Sequence, residues 1–182
     1  MNNVIELKPA DSAKINATEL VKAFEKIDSL FENFAKNPIG LQIKHLEDLI
    51  RIIINFNDRE AFHVKHHLER VEQQLKAELN YLASNVGYAL QSFGSDGSDS
   101  KIYEKIDSLF ESFAEQVIDV QLEHAESSIK AAVNFSDRDS FRVKYHVKNI
   151  KERLKAGLSD LASNISFAVQ SFGNATCYKN NY

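Results

Sequence analysis

The feature that most constrains this chain is an internal duplication. A shift of 79 positions lays KIDSLFENFAK (26–36) on KIDSLFESFAE (105–115) and NFNDREAF (55–62) on NFSDRDSF (134–141). The same shift lays LASNVGYALQSFG (82–94) on LASNISFAVQSFG (161–173). No gap interrupts the alignment from Lys26/Lys105 to Gly94/Gly173, and 35 of its 69 pairs are identical. A repeat of that length is one supersecondary unit used twice, so whatever the first copy folds into, the second must also fold into.

The apolar spacing of the unit is helical. Leu20, Phe24, Ile27, Phe31 and Phe34 recur every three or four residues, and Ile43, Leu46, Ile50 and Ile53 resume the pattern, which places each set on one helix face. Asn16 with Glu19 forms a capping box at the start. Asn37-Pro38-Ile39-Gly40 is expected to break or kink this helix, because proline lacks the amide donor and crowds the preceding turn. The second copy reads Gln116-Val117-Ile118-Asp119 there, so its equivalent helix, roughly 99–134, is expected to run straight through. Asn57 with Glu60, and Ser136 with Asp139, fit the polar-x-x-acid signature of a new helix start. Val64, Leu68, Val71, Leu75, Leu79, Leu82 and Val86 then repeat as Val143, Val147, Ile150, Leu154, Leu158, Leu161 and Ile165. Gly94 and Gly173 suit the left-handed closing position of these helices.

Each copy is therefore a hairpin of two helices about 50 Å long at 1.5 Å per residue. One hairpin leaves its apolar stripe in water, and two can bury their stripes against one another. The expected fold is all-α: a duplicated long helical hairpin forming an antiparallel up-down-up-down four-helix bundle with coiled-coil-like packing. Its expected parts are an N-terminal segment (1–16), a first hairpin (17–94), a polar linker SDGSDS (95–100), a second hairpin (101–173) and a polar tail (174–182). Exchange of hairpins across that linker makes a swapped homodimer the structural competitor.

Composition narrows the function classes. The chain is 43% hydrophobic and 26% charged, with two prolines and six glycines, which suits a globular helical protein. A net charge of -4 and the lack of a lysine or arginine cluster argue against a nucleic-acid partner. The opening residues lack an apolar signal region, no run is long enough for stable membrane insertion, and the single cysteine, Cys177, has no internal partner. The expected compartment is the cytoplasm.

Both copies retain Phe31/Phe110, Phe34/Phe113, Phe56/Phe135 and Phe62/Phe141, all read as core or end-cap packing. Asp58/Asp137 and Arg59/Arg138 sit in the first turn of a helix, where the acid answers the dipole and the arginine pins the hairpin turn. The histidines are the candidate metal ligands. His45 matches His124 and His67 matches His146, and antiparallel hairpins with both turns at one end bring all four to one level. Such a layer would hold zinc or another transition metal, although the helical wheel puts these positions at the edge of the core. Glu60-x-x-His63 resembles half of a di-iron signature, but the second copy offers Asp139-x-x-Arg142. His63, His66 and His67 read better as an exposed pH-responsive patch.

Phosphate loops, Cys-x-x-Cys pairs, His-Glu-x-x-His and nucleophilic triads are absent from the sequence. The expected function is a non-enzymatic helical protein-protein interaction module, a scaffold, adaptor or regulator with a protein partner and no required cofactor. The alternatives are the histidine metal layer and an apolar small ligand between the helices. The ligand reading follows from smaller residues in the second copy, where Leu46, Ile52, Ile53 and Glu78 become Ala125, Ala131, Ala132 and Gly157.

Overall fold

The computed structural model describes residues 17–54, 57–91, 99–133 and 136–178, with side chains described over 21–54, 57–91, 101–133 and 136–170. The first arm consists of α1 (Ala17–Phe34), a π-helical turn (Ala35–Ile39) and α2 (Gly40–Ile53), and α3 (Asp58–Gln91) returns beside it. The second hairpin repeats this plan with α4 (Asp99–Ser112), a π-helical stretch (Phe113–Asp119), α5 (Val120–Ala132) and the return helix α6 (Asp137–Tyr178). The result is an all-α four-helix bundle made from two long hairpins, with no strand among the described residues.

The arms form a closed square. Besides its hairpin partner α3, the α1–α2 arm lies along α6, and α3 lies along both α4 and α5. The diagonal pairs are held apart by the core. Phe31 and Phe110 meet across it with ring centroids 6.1 Å apart, and Leu46, Leu75, Ile106, Leu122 and Leu154 are all buried inside. Full burial of each such side chain contributes about 1.5–3 kcal/mol, so each hairpin depends on the other for its apolar stripe.

Both arms pass through the bundle as continuous helix. That corrects the expected break at Pro38 in the first arm and agrees with the expectation for the second, although each arm carries a π-helical stretch. The cause lies in the stripe itself. Phe34 is followed by Ile39, and Phe113 by Ile118, and all four are buried. At 100° per residue, five α-helical steps would leave the second residue of each pair about 140° away from the first. A π-turn absorbs one residue and returns Ile39 and Ile118 to the core. Pro38 sits inside the shorter of the two stretches, so the turn is set by the spacing and merely accommodates the proline.

The hairpin ends follow the expected chemistry. The Asn57 backbone amide donates to Glu60 Oε2 at 3.1 Å, and the Glu60 amide donates to Asn57 Oδ1 at 2.9 Å, a reciprocal capping box. In the second copy the Asp139 amide donates to Ser136 Oγ at 3.2 Å, while the Ser136 hydroxyl donates to Asp139 Oδ2 at 2.6 Å. The far end of the second hairpin differs from expectation, because α6 continues past Gly173 to Tyr178. The caps expected at Asn16 and Gly94 and the packing expected of Phe56 and Phe135 lie outside the described residues.

The smaller residues of the second copy are occupied rather than hollow. Ala125 is fully buried. A Cβ added to Gly157 would meet Phe34 Cε2 at 3.4 Å and Pro38 Cβ at 3.7 Å, so the first arm already fills that space. Ala131 and Ala132 line an open surface groove instead of an internal cavity.

Candidate functional site

The four candidate histidines stand where the wheel places them. His45 and His124 are exposed, while His67 and His146 are half-buried at the core edge. They come together as two pairs across the seams between hairpins. His67 on α3 senses the charge of His124 on α5, and His146 on α6 senses His45 on α2. The pairing follows from the square, since α3 packs along α5 and α2 along α6. Partial burial lowers the His67 pKa first, with the charges of His66, His63, His124 and Arg70 acting in the same direction. Burial also leads the lowering at His146, followed by His45 and Arg142. Ser128 Oγ lies 3.3 Å from His124 Nδ1 and lines the same groove as His63 and His67. Among the described residues, no three His, Cys, Asp or Glu side chains converge as a metal site.

The turn phenylalanines overturn the core assignment. Phe62 is 66% exposed and Phe141 72% exposed. Both lie in the first turns of α3 and α6, at the end of the bundle where the two hairpins reverse. Register explains it: Phe62 precedes the buried Val64 by two residues, about 200° around the helix, and Phe141 stands in the same relation to Val143. A second exposed ring follows each one at i,i+4. Phe62 stacks on His66 with centroids 6.3 Å apart and an interplanar angle of 4°, and Phe141 is followed by the exposed Tyr145. Ile52 at the end of α2 adds another exposed apolar side chain to this half of the molecule. Arg59 and Arg138 make no ion pair among the described residues.

The charges have diverged between the copies in a coupled way. In the first, Glu72 and Lys76 neutralise each other at 2.5 Å, and a Cβ on Gly40 would lie 3.5 Å from that carboxylate. In the second, Lys151 stands in place of Glu72 and Asp119 in place of Gly40. Asp119 Oδ1 lies 2.8 Å from Lys155 Nζ and 3.7 Å from Lys151 Nζ, and Glu123 holds Lys151 at 3.1 Å. The charge reversal on α6 is thus answered by new acids on the facing arm. Beside these pairs, α5 and α6 enclose an open groove of about 850 Å³ that begins at Phe141 and Tyr145.

The described residues present both apolar and charged side chains to the outside. No helix among the described residues is long and apolar enough to cross a membrane. Comparison of the chain with protein-family models, curated proteins and solved structures gives no match.

Proposed function

We propose that the chain is a non-enzymatic protein-interaction module whose contact surface is the hairpin-turn end of the bundle. The observation that carries this reading is the exposure of the same residue, phenylalanine, at positions 62 and 141 beside the two hairpin turns, with the exposed Ile52 at the same end. Neither ring supports the core, so stability gives little reason to keep phenylalanine at both sites. Aromatic side chains are enriched among the residues that anchor protein interfaces. The helices beneath them supply a rigid platform, which limits the ordering cost of association.

The test compares two double variants of equal aromatic loss. Phe62→Ser with Phe141→Ser removes the turn-end anchors, and Tyr81→Ser with Tyr88→Ser removes equally exposed rings elsewhere on α3. Quantitative co-purification from the native host is expected to lose a discrete partner with the first pair and keep it with the second. Equal behaviour of the two pairs contradicts the reading.

A further inference from the structure

The groove between α5 and α6 carries a charge pattern that the fold does not consume. Lys144, Lys148, Lys151 and Lys155 recur at intervals of four, three and four, so they form one stripe along α6. The matching stripe of α3 is Lys65, Glu69, Glu72 and Lys76, which closes on itself through Lys65–Glu69 at 3.7 Å and Lys76–Glu72 at 2.5 Å. The second copy has therefore turned a self-neutral stripe wholly basic.

Half of that change is structural. Asp119 and Glu123 hold Lys151 and Lys155 against the second arm. The other half is not. Lys144 makes no ion pair among the described residues, and Lys148 has only Glu152 at 3.8 Å, with both side chains largely in solvent. These two lysines flank Tyr145 and stand next to Phe141, the most exposed aromatic among the described residues. An apolar pair (Phe141, Tyr145) and a basic pair (Lys144, Lys148) thus run side by side along α6. Each has the roughly 6 Å pitch of i,i+4 positions on a helix.

Resting on the interaction-module reading above, we propose that this groove docks an acidic amphipathic helix of a partner protein. The partner's apolar stripe lies on Phe141 and Tyr145, and its carboxylates meet Lys144 and Lys148. Helix-in-groove recognition uses this combination of evenly spaced apolar anchors and flanking charge. The net charge of -4 repels an acidic partner from the rest of the surface and so fixes its position on the local basic patch. A nucleic-acid backbone fits less well. Glu123, Glu126 and Glu152 line the same groove and oppose a continuous run of phosphates, whereas separate carboxylates can seat on the lysines alone.

The experiment titrates the full chain with two synthetic helices that share one leucine stripe and differ only in flanking glutamates or lysines. Binding is followed by calorimetry, with a single-stranded DNA oligonucleotide as a third probe. The glutamate helix is expected to bind and the lysine helix not. Lys144→Glu with Lys148→Glu is expected to weaken the glutamate helix by about ten-fold or more and to make the lysine helix the better ligand. The milder pair Lys144→Gln with Lys148→Gln should weaken it without reversing preference, and thermal melts establish that each variant is folded. Failure of the glutamate helix to bind, equal binding of both helices, indifference to the lysine substitutions, or tighter binding of the oligonucleotide each overturns the proposal. If the groove fails while Phe62→Ser with Phe141→Ser still releases a native partner, the module reading stands and this partner chemistry falls. If that pair releases nothing, the module reading itself falls.

Discussion

Deleting one residue from the π-helical stretch of the second arm should leave the bundle standing, whereas deleting one from α6 should not. Gln116 is exposed within Phe113–Asp119. Its removal shortens the Phe113–Ile118 interval from five residues to four, the spacing that an ordinary α-helix keeps on one face. Both halves of the arm then retain their phase, and the expected cost is within about 2 kcal/mol. Asp160 is equally exposed but lies in unbroken α-helix between the buried Leu158 and Leu161. Its removal turns everything after it by about 100° relative to the core. Leu161, Ile165 and Val169 leave the interior, and at about 1.5–3 kcal/mol each the loss reaches roughly 5–9 kcal/mol. A typical domain has only about 5–15 kcal/mol in total. Urea unfolding followed by circular dichroism measures both variants directly. Equal destabilisation by the two deletions would refute the argument that stripe spacing sets the π-turn.

Asp119→Gly should cost about 1 kcal/mol by leaving Lys151 and Lys155 facing each other, a modest figure because the groups are partly solvated. Adding Lys151→Glu with Glu123→Lys restores the first copy's Gly40, Lys44, Glu72 and Lys76 and should recover the loss; a triple variant no more stable than Asp119→Gly contradicts the compensation. Gly157→Leu should destabilise by about 1–3 kcal/mol through crowding of Phe34 and Pro38, and an unchanged melting temperature would mean that the site is roomier than described. The lowered pKa values of His67 and His146 make the unfolded chain the better proton acceptor. Their contribution is intact above the ordinary value of 6.5 and is lost as pH falls through 6.5 towards the folded values. Replacing both with glutamine should flatten that part of the stability-versus-pH curve, and an identical curve in the variant would contradict the assignment.

The hairpins, their capped turns and the bundle were legible because each rests on local spacing: three-and-four stripes, Asn57 with Glu60, Ser136 with Asp139. The π-turns were legible in principle, since Phe34 to Ile39 and Phe113 to Ile118 break the rhythm by one residue. Pro38 drew attention to chemistry where phase was the cause. Residue type alone suggests core or end-cap packing for Phe62 and Phe141, whereas their 200° offset from Val64 and Val143 sets them outside. The histidine pairing was a different matter. Which helices share a seam depends on how two hairpins dock, so spacing within one hairpin could not show that His67 faces His124 and not His45. The groove lysines carry their meaning only beside Asp119 and Glu123, residues more than twenty positions away in sequence.

The most direct test of the account places a photo-reactive phenylalanine analogue at position 62 or 141, and in control chains at position 81 or 88, and cross-links each in the native host. The account predicts discrete protein adducts from 62 and 141 and none from 81 and 88. Adducts from the control positions alone, or no protein adduct from either turn-end position, would contradict the claim that the hairpin-turn end is where this protein meets its partner.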